Sequence, residues 1–252
     1  MFTVGNLACG FGSILISSGS TFIAGNLFNK NVIEAVWLII LAAFFDFLDG
    51  LVARFSKSYS KFGVELDSLT DIVSFGVAPA VLLVNFSIIS HGNWAWILAF
   101  VYLMAGSFRL ARFNMTASVE RKVNFVGLPI PSAAIALISY ILFSYEIWGE
   151  IRMEKFFIIL ILTTSALMVS TIEFESMPGL DFSKAKNRIK TLFVILVAVA
   201  VMINASLVIF PAVLLYILWG IIKLLVIMFS GNRREAQVRA ITVLKKEKRL
   251  QE

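Results

Sequence analysis

Long apolar blocks alternate with short polar breaks along the chain, and each block is close to the roughly 20 residues an α-helix needs to cross a bilayer. Read block by block, the pattern predicts spans at about 4–24, 32–54, 64–89, 93–113, 126–146, 155–173, 189–203 and 207–229. The predicted fold is all-α, a polytopic membrane helical bundle of about eight transmembrane helices. The seventh block is short, and only Asn204-Ala205-Ser206 separates it from the eighth, so a re-entrant pair is the alternative there. An even count puts both termini on one side. No repeat or low-complexity segment interrupts the series. The reading is therefore one membrane domain over residues 1–230 and a tail over 231–252.

Composition agrees: 59% of residues are hydrophobic, 15% are charged and the mean hydropathy is +0.89, which excludes an ordinary soluble domain. Asn6, Gly10 and Gly12 interrupt the first apolar stretch, so it does not read as a cleaved signal peptide. The single Cys9 cannot form an intramolecular disulfide. The net charge of +6 reports orientation and contact with anionic lipid in such a protein; no nucleic-acid partner is expected. Eighteen of the 22 Lys and Arg residues fall in loops and flanks on one side, against Lys30, Arg152 and Lys155 on the other. By the positive-inside rule both termini face the cytoplasm, as expected for a protein of the cell inner membrane. In the tail, Arg239, Lys245, Lys246 and Lys248 are mixed with Val238, Ile241, Val243 and Leu244. That pattern suits a helix lying on anionic lipid, and equally a solvated tail.

Against this apolar background stand four acids. Asp46 and Asp49, with Gly50 and Ala53, share one face of a helix of 3.6 residues per turn, and Asp67 and Asp71 share a face of the next. The segment from Phe55 to Phe62 reads as a cytoplasmic turn that sets the two helices antiparallel and opposes their carboxylates. Four carboxylates this close need counter-charge, and hard oxygen ligands favour Mg²⁺ or Mn²⁺, with Ca²⁺ as a further candidate. Two divalent ions would balance them. The only histidine, His91, is expected on the opposite side, so zinc is not the expected ion. Metal bridging two phosphates suits a pyrophosphate substrate. Gly50 and Ala53 would form a floor for a nucleotide, and Arg54 would add a charge-assisted contact to phosphate. The competing reading pairs the aspartates with Arg54, Arg109 or Arg112 merely to hold the bundle; four acids in one register argue against it.

From Asp46 to Asp71 the chain resembles the CDP-alcohol phosphotransferase family, matching the signature D-x2-D-G-x2-A-R-x8-G-x3-D-x3-D at Asp46, Asp49, Gly50, Ala53, Arg54, Gly63, Asp67 and Asp71. The resemblance implies a membrane enzyme, often homodimeric, that moves a substituted phosphate from a CDP-linked donor to an alcohol and releases CMP. It implies that Asp46, Asp49 and Asp67 hold metal and the donor pyrophosphate, Gly63 belonging to the same motif, and that Asp71 is both metal ligand and general base. It also implies that Asn6 lies near the nucleotide, although helix-to-helix hydrogen bonding serves equally as its role. The run from Leu66 to Ala80, with Phe108–Asn114 and Gly127–Pro131, resembles the phosphatidylserine synthase branch. The expected donor is CDP-diacylglycerol and the expected acceptor L-serine. Arg109 and Arg112 offer planar forks for a carboxylate or phosphate, and Asn114 an acceptor for the ammonium; snorkelling to the interface is the competing role of the arginines. Glycerol 3-phosphate or inositol phosphate is the alternative acceptor. A prenyltransferase would carry two separate aspartate-rich motifs, and a transporter would place its charges nearer mid-membrane.

Overall fold

The structure is a computed structural model that describes residues 2–19, 26–56, 61–85, 94–117, 125–150, 152–170, 173–174 and 200–222. The described elements are α1 (Phe2–Gly19), α2 (Asn26–Ser56), α3 (Lys61–Asp71), a π-helical stretch (Ile72–Val77), α4 (Ala78–Asn85), α5 (Trp94–Ala117), β1 (Phe125–Val126), α6 (Ile130–Trp148), α7 (Glu154–Val169) and β2 (Glu173–Phe174), followed by α8 (Ala205–Ile222). The fold is helical, as expected, apart from a two-residue antiparallel ladder that pairs Phe125 with Phe174 and Val126 with Glu173. By contact density the chain divides into Met1–Val213 and Leu214–Glu252, and of the second unit residues 214–222, the latter part of α8, are described.

Among the described residues, five helices are long and apolar enough to cross a membrane: Asn31–Val52, Phe62–Val84, Trp94–Met115, Ile130–Trp148 and Ala205–Ile222. Their surfaces confirm the solvent they face. On α2, Val32, Ala35, Val36, Ile39 and Ala42 are fully buried, while Trp37, Leu41 and Phe44 stand exposed on the other side. An apolar outer face is what lipid requires and water would not tolerate at this scale. The protein is an integral membrane protein.

Of the predicted spans, the first is described in part and the sixth comes out shorter. α1 is described from Phe2 to Gly19, and the rest of the predicted first span, residues 20–24, lies outside the described residues. α7 has 16 residues and stops at Val169, because Ser170 turns extended at ψ 161°. Of the predicted seventh span only residues 200–203 are described; the rest of it, the 231–252 tail and the turn residues 57–60 lie outside the described residues. Asn204 caps α8, its side-chain oxygen accepting from the Leu207 N–H at 3.2 Å.

α6 is the core helix, with Ala133, Leu137 and Ile141 wholly buried. Pro129 precedes it with Pro131 in its first turn, and Gly149 closes it in the left-handed region at φ 71°. The prolines therefore initiate the helix and do not kink it. Tyr140 ties α6 to its neighbours, stacking on Phe157 at 5.1 Å and meeting Phe210 edge-on at 5.2 Å.

Two features set the positions of the site helices. The first is the π-helical stretch directly after Asp71. Pro79 has no N–H, so the Phe75 carbonyl four residues back loses its helical donor. The Tyr102 hydroxyl of α5 fills the gap, donating to Phe75 O at 2.7 Å. The wider turn also brings Ser74 against α1, where its hydroxyl donates to Asn6 O at 3.1 Å. A side chain at Gly10 would meet the Ser74 Cα at 2.7 Å, so glycine there permits the close approach. The second feature is a clamp on the end of α7. Arg112 of α5 donates to Val169 O and Ser170 O at 2.9 Å each and to Met168 O at 3.3 Å. Leu128 N–H takes Leu167 O at 3.0 Å. These donors satisfy carbonyls that a helix C-terminus leaves open.

Candidate active site

The aspartates reach the site from two helices. Asp46 and Asp49 lie one turn apart on α2, and Asp67 and Asp71 one turn apart on α3. Asp46, Asp67 and Asp71 each offer one carboxylate oxygen such that all three oxygens lie within 4.8 Å of one another. Divalent ions hold oxygen ligands at about 2.0–2.6 Å, so two ligands across one ion are separated by about twice that. The spacing and the all-oxygen donor set therefore fit a hard divalent cation.

Asp49 stands slightly apart. It accepts a hydrogen bond from the Thr3 hydroxyl of α1, and its charge still acts on Asp46 and Asp67. Three of the four predicted carboxylates are thus brought together, and the fourth is held beside them by a residue the sequence reading passed over. Thr3 and Asn6 are one turn apart on α1 and both turn inward. Asn6, fully buried, donates through Nδ2 to Asp71 Oδ1 at 3.5 Å. Polar residues at this spacing in an otherwise apolar helix were the available signal. Asn6 is therefore tied to a carboxylate, which the sequence had left open between nucleotide contact and helix bonding.

Asp71 is the most enclosed of the set at 9% exposure, and Arg109 of α5, 6% exposed, is near enough for its charge to act on it. Arg109 and Arg112 line a hollow of about 190 Å³ with Phe108 and Val169. Beside Asp49, Gly50 faces open space: a side chain there would meet nothing within 4 Å. Gly63 is exposed near the start of α3, and Ala53 and Arg54 lie in the last turns of α2, where the structure describes the backbone alone.

Two residues assigned to the acceptor have other partners. Two of the Arg112 nitrogens are engaged by the α7 carbonyls, so its fork is committed to the fold. The Asn114 oxygen accepts from the Ser68 hydroxyl at 3.1 Å, and its Nδ2 donates to Glu65 at 3.4 Å. That amide joins α5 to α3.

The family model for CDP-alcohol phosphatidyltransferase matches residues 1–169, the stretch that supplies every one of these side chains. The chain belongs to the CDP-alcohol phosphatidyltransferase family. It is 30% identical over 239 residues, 92% of this chain and 94% of the relative, to a CDP-diacylglycerol–serine O-phosphatidyltransferase of Helicobacter pylori. A similarly named enzyme of Methanocaldococcus jannaschii is 40% identical over 147 residues, 58% of this chain and 65% of the relative. An archaetidylserine synthase of Methanothermobacter thermautotrophicus is 34% identical over 185 residues, covering 71% of this chain and 70% of its own length.

Proposed function

We propose that the protein transfers the phosphatidyl group of CDP-diacylglycerol to the hydroxyl of L-serine, giving phosphatidylserine and CMP. The observation that carries the acceptor is the near full-length similarity to an enzyme named for that reaction, joined to a hollow lined in part by the buried Arg109, whose charge acts on Asp71. Asp46, Asp49, Asp67 and Asp71 would hold divalent metal, Mg²⁺ or Mn²⁺, with two ions as the balancing number and Ca²⁺ as a candidate for one. When bound, metal neutralises the donor pyrophosphate and the charge that develops on the departing phosphate.

The chain's own residues do the rest. Gly50, with Ala53, Arg54 and Gly63 of the motif, leaves room for and contacts the nucleotide. Asp71 takes the proton of the serine hydroxyl, because a neutral alcohol is a poor nucleophile. The serine oxygen forms its bond to the lipid-side phosphorus as the bond from that phosphorus to the bridging oxygen breaks, and the electron pair leaves with CMP. Arg109 meets the serine carboxylate. Arg112 shapes the pocket through α7, and Asn114 acts through α3, a narrower assignment than the sequence reading made.

The same reading places about eight spans in one domain over 1–230, a basic tail over 231–252, both termini and the site on the cytoplasmic face of the cell inner membrane, and a homodimer as the working unit. Purified protein supplied with labelled CDP-diacylglycerol and Mg²⁺ or Mn²⁺ is expected to release CMP in an L-serine-dependent way and to form phosphatidylserine. Product formed with glycerol 3-phosphate and not with L-serine would overturn the acceptor.

A further inference from the structure

The hydrogen bonds from Ser68 to Asn114 and from Asn114 to Glu65 form a bridge from α3 to α5, in which the reaction as described above gives Ser68 and Glu65 no role. Its place in the helices is informative. Ser68 precedes Asp71 by three residues and Glu65 by six, which is about 4.5 and 9 Å of helix rise toward the start of α3. On the helical wheel Ser68 lies about 60° round from Asp71, and Glu65 about 120° in the same sense. Asn114 follows Arg109 by five residues, about 7.5 Å toward the end of α5. The bridge therefore crosses the seam between α3 and α5 beyond the Asp71–Arg109 pair, at the helix ends that the charge asymmetry assigns to the cytoplasm. Glu65 is exposed, whereas Ser68 and Asn114 are half-buried.

Resting on the serine reading above, we propose that this bridge is the acceptor-selecting rim of the site. A water-soluble acceptor bound for Asp71 passes it. Asn114, with both ends of its amide engaged, fixes the spacing of the two helices and holds the Glu65 carboxylate at the entrance. A fixed negative charge there attracts an ammonium and repels a phosphate, so it favours a zwitterionic acceptor such as serine over a doubly charged one such as glycerol 3-phosphate. Arg109 alone would make no such distinction, since a guanidinium takes carboxylate and phosphate alike.

The test uses the full chain in liposomes with CDP-diacylglycerol, comparing L-serine with glycerol 3-phosphate for wild type, Glu65→Gln, Glu65→Lys and Asn114→Ala. Removing a partly solvated charge is worth a modest factor, so Glu65→Gln is expected to raise the serine KM about three- to fivefold with a smaller change in kcat. Glu65→Lys is expected to raise it further and to increase turnover of glycerol 3-phosphate. Both effects should shrink in high salt. A merely structural bridge would lower use of the two acceptors together, and that outcome, or an unchanged acceptor ratio in both Glu65 variants, overturns the rim. Glu65 is exposed, so its variants keep the test open even if Asn114→Ala fails to fold; Mn²⁺ binding by each variant reports an intact aspartate cluster. A wild type whose CMP release is indifferent to serine overturns the acceptor reading itself, whereas serine dependence with an unmoved ratio overturns the rim alone.

Discussion

Asp71 sits where three kinds of neighbour meet: the carboxylates of Asp46 and Asp67, the amide of Asn6 and the guanidinium of Arg109. A carboxylate so enclosed is held in one orientation, which is what proton acceptance at a fixed point demands. Asp71→Asn keeps the shape and removes the charge, and CMP release is expected to fall about 10²- to 10⁴-fold, the usual range for loss of a general base. Circular dichroism should meanwhile show the helices intact; a near-normal rate would remove Asp71 from the proton transfer. Asn6→Ala removes one hydrogen bond to that carboxylate, and kcat is expected to fall about tenfold, equivalent to about 1.4 kcal/mol in the barrier. The aspartates were legible in the sequence because their spacing alone places them on helix faces. Thr3 was not, and Asn6 was singled out without its partner, since each acts on a residue 46 or 65 positions away, and such pairing depends on how α1 packs.

At the scale of elements, the apolar blocks gave the long helices, but not what shapes them between their ends. The π-helical stretch arises from one missing N–H and one distant hydroxyl, and only Pro79 hinted at it in the sequence. Tyr102→Phe would leave the Phe75 carbonyl buried without its donor, a loss of about 1–3 kcal/mol. A lowered thermal midpoint in detergent, with the aspartates themselves untouched, is the expected readout. The early end of α7 was likewise invisible to hydropathy, because it is enforced from α5 by Arg112 and from the 127–128 backbone. Gly127 has φ +81°, and a Cβ there would lie 2.5 Å from Met168 O and 2.8 Å from Arg112 Nη2. Gly127→Ala therefore combines backbone strain with a clash at the clamp and is expected to cost about 1–3 kcal/mol. Unfolding in detergent measures it, and a stability equal to wild type would show that the loop can retreat from α7.

At the scale of the molecule, hydropathy counts crossings while charge assigns their direction, and the two can be tested together. In a Cys9→Ser background, single cysteines at His91 and in the 231–252 tail are expected to label from opposite sides of intact cells or oriented vesicles with an impermeant maleimide. Labelling from the same side would overturn the proposed topology. The short α7 shows why a count from hydropathy alone is approximate: a membrane protein can enclose an apolar helix among its neighbours, and burial there reads in sequence like lipid. The π-helical stretch adds a consequence of a different kind. One extra residue in a turn is an angular offset, so the rod from Lys61 to Asn85 behaves as two pieces set at a fixed phase to each other. The piece that presents the aspartates can be aimed for chemistry while the other is aimed for packing. Forcing residues 72–77 into an unbroken α-helix with every residue kept would turn one piece by about 100° against the other, misaligning the enzyme without changing any residue that touches its substrate.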